Sequence, residues 1–428
     1  MSRIKTLNDV VAWRLCIGCG ACAYACPQGK VELWDFLEEG IRPIADHTSC
    51  NTCRDCLDVC PAVETNFTPP SLPDRTPVLG DEMFRHDWGQ VVAIWEGHAS
   101  DPEIRFKGSS GGVLTALGAY CVEAGGMGGV LHIGADPADP LRNTTRLSRT
   151  RQELIAATGS RYSPASVCNG LGLVEQSTAP CAIIGKPAEI AAVRKAVALR
   201  PGLAAKLGVT MSFFCAETPS TAGTLALLKE MGVAAEAVAE LRYRGLGWPG
   251  YFAPIAKGES EPTAKRPYRE SWAFLQRHRP WAIHLWPDGS GELADITCGD
   301  PWYEKPDGRN PGFSIVAART ERGRQIVQGA IDAGYLQLTS AEPWKLDKSQ
   351  RYLAEKKQSV WGRQIGLRAF GLPVTLFRGI LLRKNWARLS LKEKAKSVLS
   401  TVRRIATRQL YRPLVLDRSQ AKRVSVRA

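Results

Sequence analysis

The sequence predicts a mixed α/β protein, α+β overall. It should comprise a small cysteine-rich module, a larger domain with a mixed, largely parallel sheet, and a basic helical tail. Three observations carry that prediction. Two matching cysteine runs lie within the first 60 residues. Strand and helix patterns alternate from about residue 91 to 333. The positive charge collects after Trp361.

The cysteine runs are Cys16-Ile-Gly-Cys19-Gly-Ala-Cys22-Ala-Tyr-Ala-Cys26-Pro27 and Cys50-Asn-Thr-Cys53-Arg-Asp-Cys56-Leu-Asp-Val-Cys60-Pro61. Each has the C-x2-C-x2-C-x3-C-P spacing of a cubane iron–sulfur ligand set. In two-cluster ferredoxins the fourth cysteine of each run serves the other cluster. Cys16, Cys19, Cys22 and Cys60 are therefore expected to hold one 4Fe-4S cluster, and Cys50, Cys53, Cys56 and Cys26 the second. Two-residue gaps let a tight loop converge three thiolates on one cube, and the proline ends the turn. The alternatives are zinc and disulfides. Zinc takes two separated C-x2-C pairs, four ligands in all, whereas eight cysteines in two proline-closed runs fit a pair of clusters.

With 428 residues the chain has room for about two to three domains, and 44% hydrophobic residues are enough for real cores. The five cysteines outside the runs, Cys121, Cys168, Cys181, Cys215 and Cys298, are odd in number and scattered. That argues for a reducing, cytoplasmic setting over a disulfide scaffold. No signal-peptide h-region opens the chain and no long uncharged apolar run crosses it. From Trp361 to Ala428 there are 17 Lys and Arg against Glu393 and Asp417, so the tail carries +15 of a net +14. The remainder is close to neutral.

Residues 1–68 read as the ferredoxin-like module, and 69–80 as a proline-rich linker. Val91–Trp95 has strand character. Ser109 and Ser110 are placed to cap a helix through Gly111 and Gly112 to about Glu123. Gly125-Gly126 stops it, and the strand Gly129–Ile133 completes a βαβ-like unit. A helix start at Glu153–Ala157 follows. Next come the strand Cys181–Gly185, the helix Ala188–Ala198, the strand Val209–Phe214 and the helix Thr221–Met231. This alternation predicts the parallel sheet. A β-rich, tryptophan-bearing stretch from Glu240 to Val316 and a helix from Arg322 to Ala333 close the domain.

From Lys107-Gly108-Ser109-Ser110-Gly111-Gly112-Val113 onward the chain resembles the coenzyme F420 hydrogenase/dehydrogenase beta-subunit family, which includes 7-hydroxymethyl chlorophyll a reductase. The resemblance continues through Gly159-Ser160-Arg161-Tyr162, Ile184-Gly185-Lys186-Pro187, Phe213-Phe214-Cys215 and Tyr243-Arg244. It ends at Ala294–Trp302 and Arg319–Gly323, and so spans roughly residues 10–335. It implies a flavin-binding part over 81–175, a catalytic part over 176–340 and a basic tail over 341–428. It also implies FAD, which composition alone does not name. Two departures bear on further clusters. Relatives carry Gly-Thr-Pro-Cys where this chain has Gly185-Lys186-Pro187-Ala188. They carry a C-x2-C pair where it has Ile283 and Trp286. The two runs are therefore expected to hold all the clusters.

The residues themselves give a compatible reading. Ser109, Ser110, Gly111 and Gly112 at a helix N-terminus suit a phosphate, or else form a plain capped start. Gly159, Ser160, Arg161 and Tyr162 form a candidate second flavin loop, with Arg161 as a cation for pyrophosphate or flavin charge. The alternative is an ordinary turn. Lys186 follows a buried strand, at the sheet end where α/β ligands bind. Cys215 and Cys298 fall in family-like motifs and are candidates to face the flavin. Asp295 and Asp300 flank Cys298, either as acid or base or as loop caps. His284 is a further candidate proton donor.

The function expected is an iron–sulfur flavoprotein oxidoreductase. Its partners would be ferredoxin or another one-electron donor and a small-molecule hydride acceptor or donor. The rival is a non-catalytic electron-transfer subunit of a larger complex. A homo-oligomer is compatible with the sequence. The tail, amphipathic over Leu389–Ile405, reads as a helical packing element or a weak peripheral contact with the inner membrane surface. No nucleic-acid motif accompanies it.

Overall fold

Nine strands form the central sheet of the computed structural model, which describes residues 3–46, 50, 53–74, 76–216, 218–306 and 310–427. Asn51 and Thr52 of the second cysteine run lie outside the described residues. Across the sheet the strands are Leu336–Ser340, Ala93–Ala99, Ser314–Ala318, Ile296–Gly299, Leu207–Phe213, Cys181–Ile184, Val130–Asp136, Asp139–Ser148 and Val426–Arg427. The middle four, from Ile296–Gly299 to Val130–Asp136, are parallel. Antiparallel strands flank them on both sides.

The parallel strands are short and apolar because both faces are covered, as parallel sheets require. Cys181, Ala182 and Ile183 are fully buried, as are Val209 and Met211. Helices Val113–Glu123, Pro187–Leu199, Thr221–Glu230 and Glu321–Asp332 connect or cover strands near the positions their periodicity predicts. Ala93–Ala99 and Val130–Asp136 are separated by four strands in the sheet, so the expected βαβ-like unit is a wide crossover between non-neighbours. The stretch after Glu240 is only partly β. Val238–Arg242, Tyr251–Ala256 and Arg266–Pro267 make a small antiparallel sheet, and the helix Tyr268–Leu275 follows.

The cysteine module carries a hairpin, Val31–Phe36 paired with Gly40–Ala45, between its two runs. Its core is shared with the large domain. Cys19, Ala21, Ala25, Val59 and Phe67 belong to one apolar cluster with Leu131, Val167, Cys168, Leu171 and Ile183. Polar ties cross the same boundary. Arg142 pairs with Asp35, and Tyr24 Oη donates to Glu175 at 2.8 Å. Arg200 donates to the Ala25 carbonyl at 2.7 Å.

The basic segment is a packing element. Helix Leu391–Thr407 lies on helix Arg351–Ala369 and buries Ser397, Thr401 and Ile405, one stripe at helical spacing. Gly362 and Gly366 admit it: a Cβ at Gly362 would stand 1.9 Å from Ser397 Oγ, and one at Gly366 3.1 Å from Thr401 Cβ. The stripe available to a lipid surface is thus occupied within the protein. Among the described residues no helix is long and apolar enough to cross a membrane.

The last residues then strap the two parts together. Lys422–Arg423 adds to the hairpin strand Val31–Phe36, and Val426–Arg427 adds to Asp139–Ser148 of the central sheet. Lys422 Nζ reaches Asp139 at 2.7 Å, and Arg423 reaches Glu32 at 3.1 Å. Deleting residues 417–428 is expected to leave the central sheet folded. Amide exchange should rise in Val31–Phe36, and unfolding free energy should fall by about 1–3 kcal/mol, a few hydrogen bonds' worth. Unchanged exchange in that hairpin would show that the strap carries no load.

Candidate functional site

In an open sheet, ligands bind beyond the carboxyl ends of parallel strands. There the chain encloses a cavity of about 260 Å3. Ile184-Gly185-Lys186, Phe213 to Ala216 and Cys298-Gly299-Asp300, each at the end of a parallel strand, form one wall. Gly108, Ser109, Ser110 and Gly112 form another, with the first turn of helix Val113–Glu123. The loop Thr158–Ser163 closes a third side, and Arg244, Tyr268, Trp272 and Trp302 make an aromatic end.

The serines do not cap that helix. Its N-cap is Gly112, at φ 73°, with no side-chain cap. Ser109 Oγ instead accepts from Ser160 N at 2.5 Å, joining the two predicted loops, and Ser110 Oγ donates to the Phe313 carbonyl at 2.6 Å. A Cβ at Gly112 would lie 2.6 Å from the Ile104 carbonyl, and one at Gly111 2.7 Å from that of Gly97. Glycine is therefore required at both positions. Gly111 packs behind the wall. The uncapped N–H groups of an eleven-residue helix face the cavity, an arrangement suited to an anion.

Three expectations change. Arg161 is on the cavity wall, but its guanidinium is taken up by the loops. It donates to Asn143 Oδ1 at 2.5 Å and to the carbonyls of Leu241, Pro140 and Arg142. Its work is to hold Gly159–Tyr162 in place, not to face a pyrophosphate. Asp295 stands outside the cavity. Burial would raise its carboxyl, yet Arg194 at 3.2 Å and hydrogen bonds from Thr210 and Thr320 hold it below the usual range. It is a staple between strands, not an acid or base. His284 is likewise outside the cavity. Burial, then Arg279 and Arg363, push its imidazole well below the usual value, so it is neutral.

Asp300 does line the cavity. It receives Arg244 through two bonds, 2.7 and 3.0 Å, and Trp248 Nε1 at 3.1 Å. Arg244 is 1% exposed and stacks 4.3 Å above Tyr268, whose ring lies parallel to that of Trp302. The carboxylate is thus a fixed orienting group at the aromatic end. Cys215 and Cys298 also line the cavity, and burial pushes the Cys298 thiol far up, so it stays protonated. Lys186 lines it too. Its Nζ lies 2.9 Å from Glu189 Oε1 and donates to the Ala165 carbonyl at 3.1 Å.

The sequence reading missed four cavity residues. His132 hides in an apolar strand. Tyr268 and Trp272 sit in a stretch read as β, and Tyr352 opens a helix assigned to the tail.

The eight run cysteines separate by surroundings into the two crossed quartets. Burial pushes the Cys60 thiol up to about 12, and its next influences are Cys19 and Cys16. Cys22 is raised by burial and then by Cys19, Cys16 and Cys60, with Cys56 last. Cys56 rises to about 11 through burial and then Cys53, Cys26 and Cys50. Cys16, Cys19, Cys22 and Cys60 are all buried, whereas Cys53 is exposed and Cys26, Cys50 and Cys56 are half-buried. Among the described residues no three His, Cys, Asp or Glu side chains meet around a single ion's position. A cubane spreads its thiolates over separate irons. The buried quartet stands behind the cavity wall: Cys16 and Lys186 share a smaller pocket, and Lys186 also faces the cavity. The positions where relatives carry further cysteines hold packed side chains. Ala188 is in the core, and Trp286 lies against Phe67 and Phe377.

Comparison with known proteins matches three family models. Residues 94–171 match the coenzyme F420 hydrogenase/dehydrogenase beta subunit N-terminus, and 179–343 its C-terminus. Residues 15–63 match a 4Fe-4S dicluster domain. The coenzyme F420 hydrogenase subunit beta of Methanococcus voltae is 26% identical over 67% of this chain and 99% of its own length. That of Methanosarcina barkeri is 24% identical over 65% and 96%. The coenzyme F420-dependent sulfite reductase of Methanocaldococcus jannaschii is 22% identical over 75% of this chain and 46% of its own length. A chain of the xenon-derivatised F420-reducing NiFe hydrogenase complex from M. barkeri shares the fold. Its TM-score is 0.54 over 68% of this chain and 97% of that one, at 22% identity.

Two outcomes test the site. Arg244→Gln leaves Asp300 without its buried cation and should cost about 3–5 kcal/mol in chemical denaturation, where a surface pair would cost under ~1 kcal/mol. His132, held by Ser148 Oγ at 2.7 Å, is lowered by burial to about 4. The unfolded chain therefore binds its proton first. Stability is full above pH 6.5 and falls between 6.5 and 4, by about 2 kcal/mol on going from pH 7.5 to 5. His132→Gln should remove that slope, and an unchanged slope would place the titration elsewhere.

Proposed function

Because the chain belongs to the coenzyme F420 hydrogenase/dehydrogenase beta-subunit family, we propose that it is an iron–sulfur flavoprotein oxidoreductase. It would pass electrons between a one-electron partner of ferredoxin type and a small substrate that accepts or donates hydride. That substrate is coenzyme F420, a deazaflavin, or a CH/CH2-type compound of the kind hydroxymethyl chlorophyll reductase uses. Two 4Fe-4S clusters would carry electrons singly, and FAD would exchange them in pairs with the substrate.

The residues present fit both groups. Two cysteine quartets of the right spacing supply eight thiolates. A glycine cradle and an uncapped helix N-terminus supply an anion site next to an apolar cavity. Gly112 and the N–H groups after it would hold phosphate. Lys186 and Ser160 would meet the polar parts of the flavin. Asp300, fixed by Arg244, would orient the substrate at the aromatic end beside Tyr268 and Trp302. The single observation that carries the reading is the position of the buried quartet directly behind the wall of this cavity, with the exposed quartet on its far side.

The relatives named as hydrogenase subunits favour a second reading, an electron-transfer subunit within a larger complex. The two readings share the clusters and differ over flavin. Anaerobically purified protein should contain about eight irons and bound FAD that bleaches under a low-potential one-electron donor. Iron without flavin would leave only the subunit reading. Cys19→Ser and Cys53→Ser should each lose about four irons, and an unchanged iron content in either variant would overturn the quartet assignment.

A further inference from the structure

The module meets the large domain at one very close contact. Gly20, at φ 88°, lies so near the turn Val167–Asn169 that a Cβ on it would stand 2.9 Å from Asn169 N and 3.0 Å from Asn169 Cβ. Beside it, Cys168 N–H donates to the Cys19 carbonyl at 3.0 Å. Cys168 is fully buried, in the same apolar cluster as Cys19, and the two sulfurs are hydrogen-bonding partners. The residue before it, Val167, lines the cavity.

We propose that Cys168 is a positioning residue for the buried cluster: its thiol donates to the Cys19 sulfur, raises the potential of the cluster held there, and marks the point where electrons leave toward the cavity. The thiol has one hydrogen and two acceptors, the Cys19 sulfur and the Glu189 carbonyl, 3.3 Å from Cys168 Sγ. A cluster-bound thiolate is anionic, and charge-assisted hydrogen bonds are the stronger kind. One electron arriving on the cluster makes that sulfur more negative and draws the S–H toward it. No covalent bond forms or breaks, and the thiol keeps its proton. Donors to cluster sulfurs stabilise the reduced state and so raise the potential. No spacing in the sequence marks this residue, because its partner lies about 150 residues away in another module.

The test is a reductive titration of the anaerobic, fully loaded protein followed by electron paramagnetic resonance, with the exposed cluster as internal reference. In Cys168→Ala the midpoint of the buried cluster should fall while that of the exposed cluster stays put. An unchanged buried-cluster midpoint overturns the proposal. If the alanine variant does not retain that cluster, Cys168→Ser carries the test, because it keeps a hydroxyl donor. A midpoint at or above the parent's supports the proposal, and a lower one overturns it. None of these readouts depends on flavin, so failure here is distinct from failure of the flavoprotein reading.

Discussion

Electron transfer through protein weakens steeply with distance, so the contact of Cys19 and Gly20 with the turn Val167–Asn169 is the one the rest of the structure must protect. Flexible domains joined by a linker would not protect it, since inter-domain contacts default to relative motion. Here the apolar core runs through the boundary, from Ala21 and Val59 on one side to Val167 and Leu171 on the other. That term dominates. Each polar tie across the boundary contributes about 1 kcal/mol or less, whereas burying a single large apolar side chain contributes about 1.5–3 kcal/mol. The ties, the strap at Lys422–Arg427 included, fix orientation more than they supply adhesion.

Burial gives the pair of quartets a direction. The outer one, around Cys53, is open to a partner, while the inner one is shielded and shares its surroundings with Lys186 and Val167 of the cavity wall. A low-dielectric inner site makes each nearby dipole count for more than it would in water. Small groups near Cys19 therefore matter more than larger ones near Cys53.

The legible part of the chain was whatever is encoded by local spacing: the cysteine runs, the alternation of strands and helices, and the loops that follow strand ends. What depends on which way a strand points was not legible. Asp295 and Asp300 both flank Cys298 and look equivalent in sequence. The four-residue strand Ile296–Gly299 separates them to opposite ends of the sheet, and only its carboxyl end meets the cavity. Arg161 sits in the right loop, but backbone carbonyls that no pattern announces absorb its guanidinium. The tail looked like a detached basic arm because charge is visible in sequence. The fit of Gly362 and Gly366 against Ser397 and Thr401 is a property of two surfaces.

The wall between the inner quartet and the cavity explains why a neutral thiol is the tuning group there. Lys186 brings a buried cation to that wall, and left alone it would favour electrons on either side. Glu189 at 2.9 Å cancels it, and the two act on Cys19 in opposite directions. Removing either partner alone would strand a buried charge at a cost of about 3–5 kcal/mol, so the pair stays paired and its net field is small. The remaining handle on Cys19 is directional, a hydrogen bond whose donor neither titrates with its surroundings nor adds net charge. Among the groups around that sulfur, the Cys168 thiol meets that requirement.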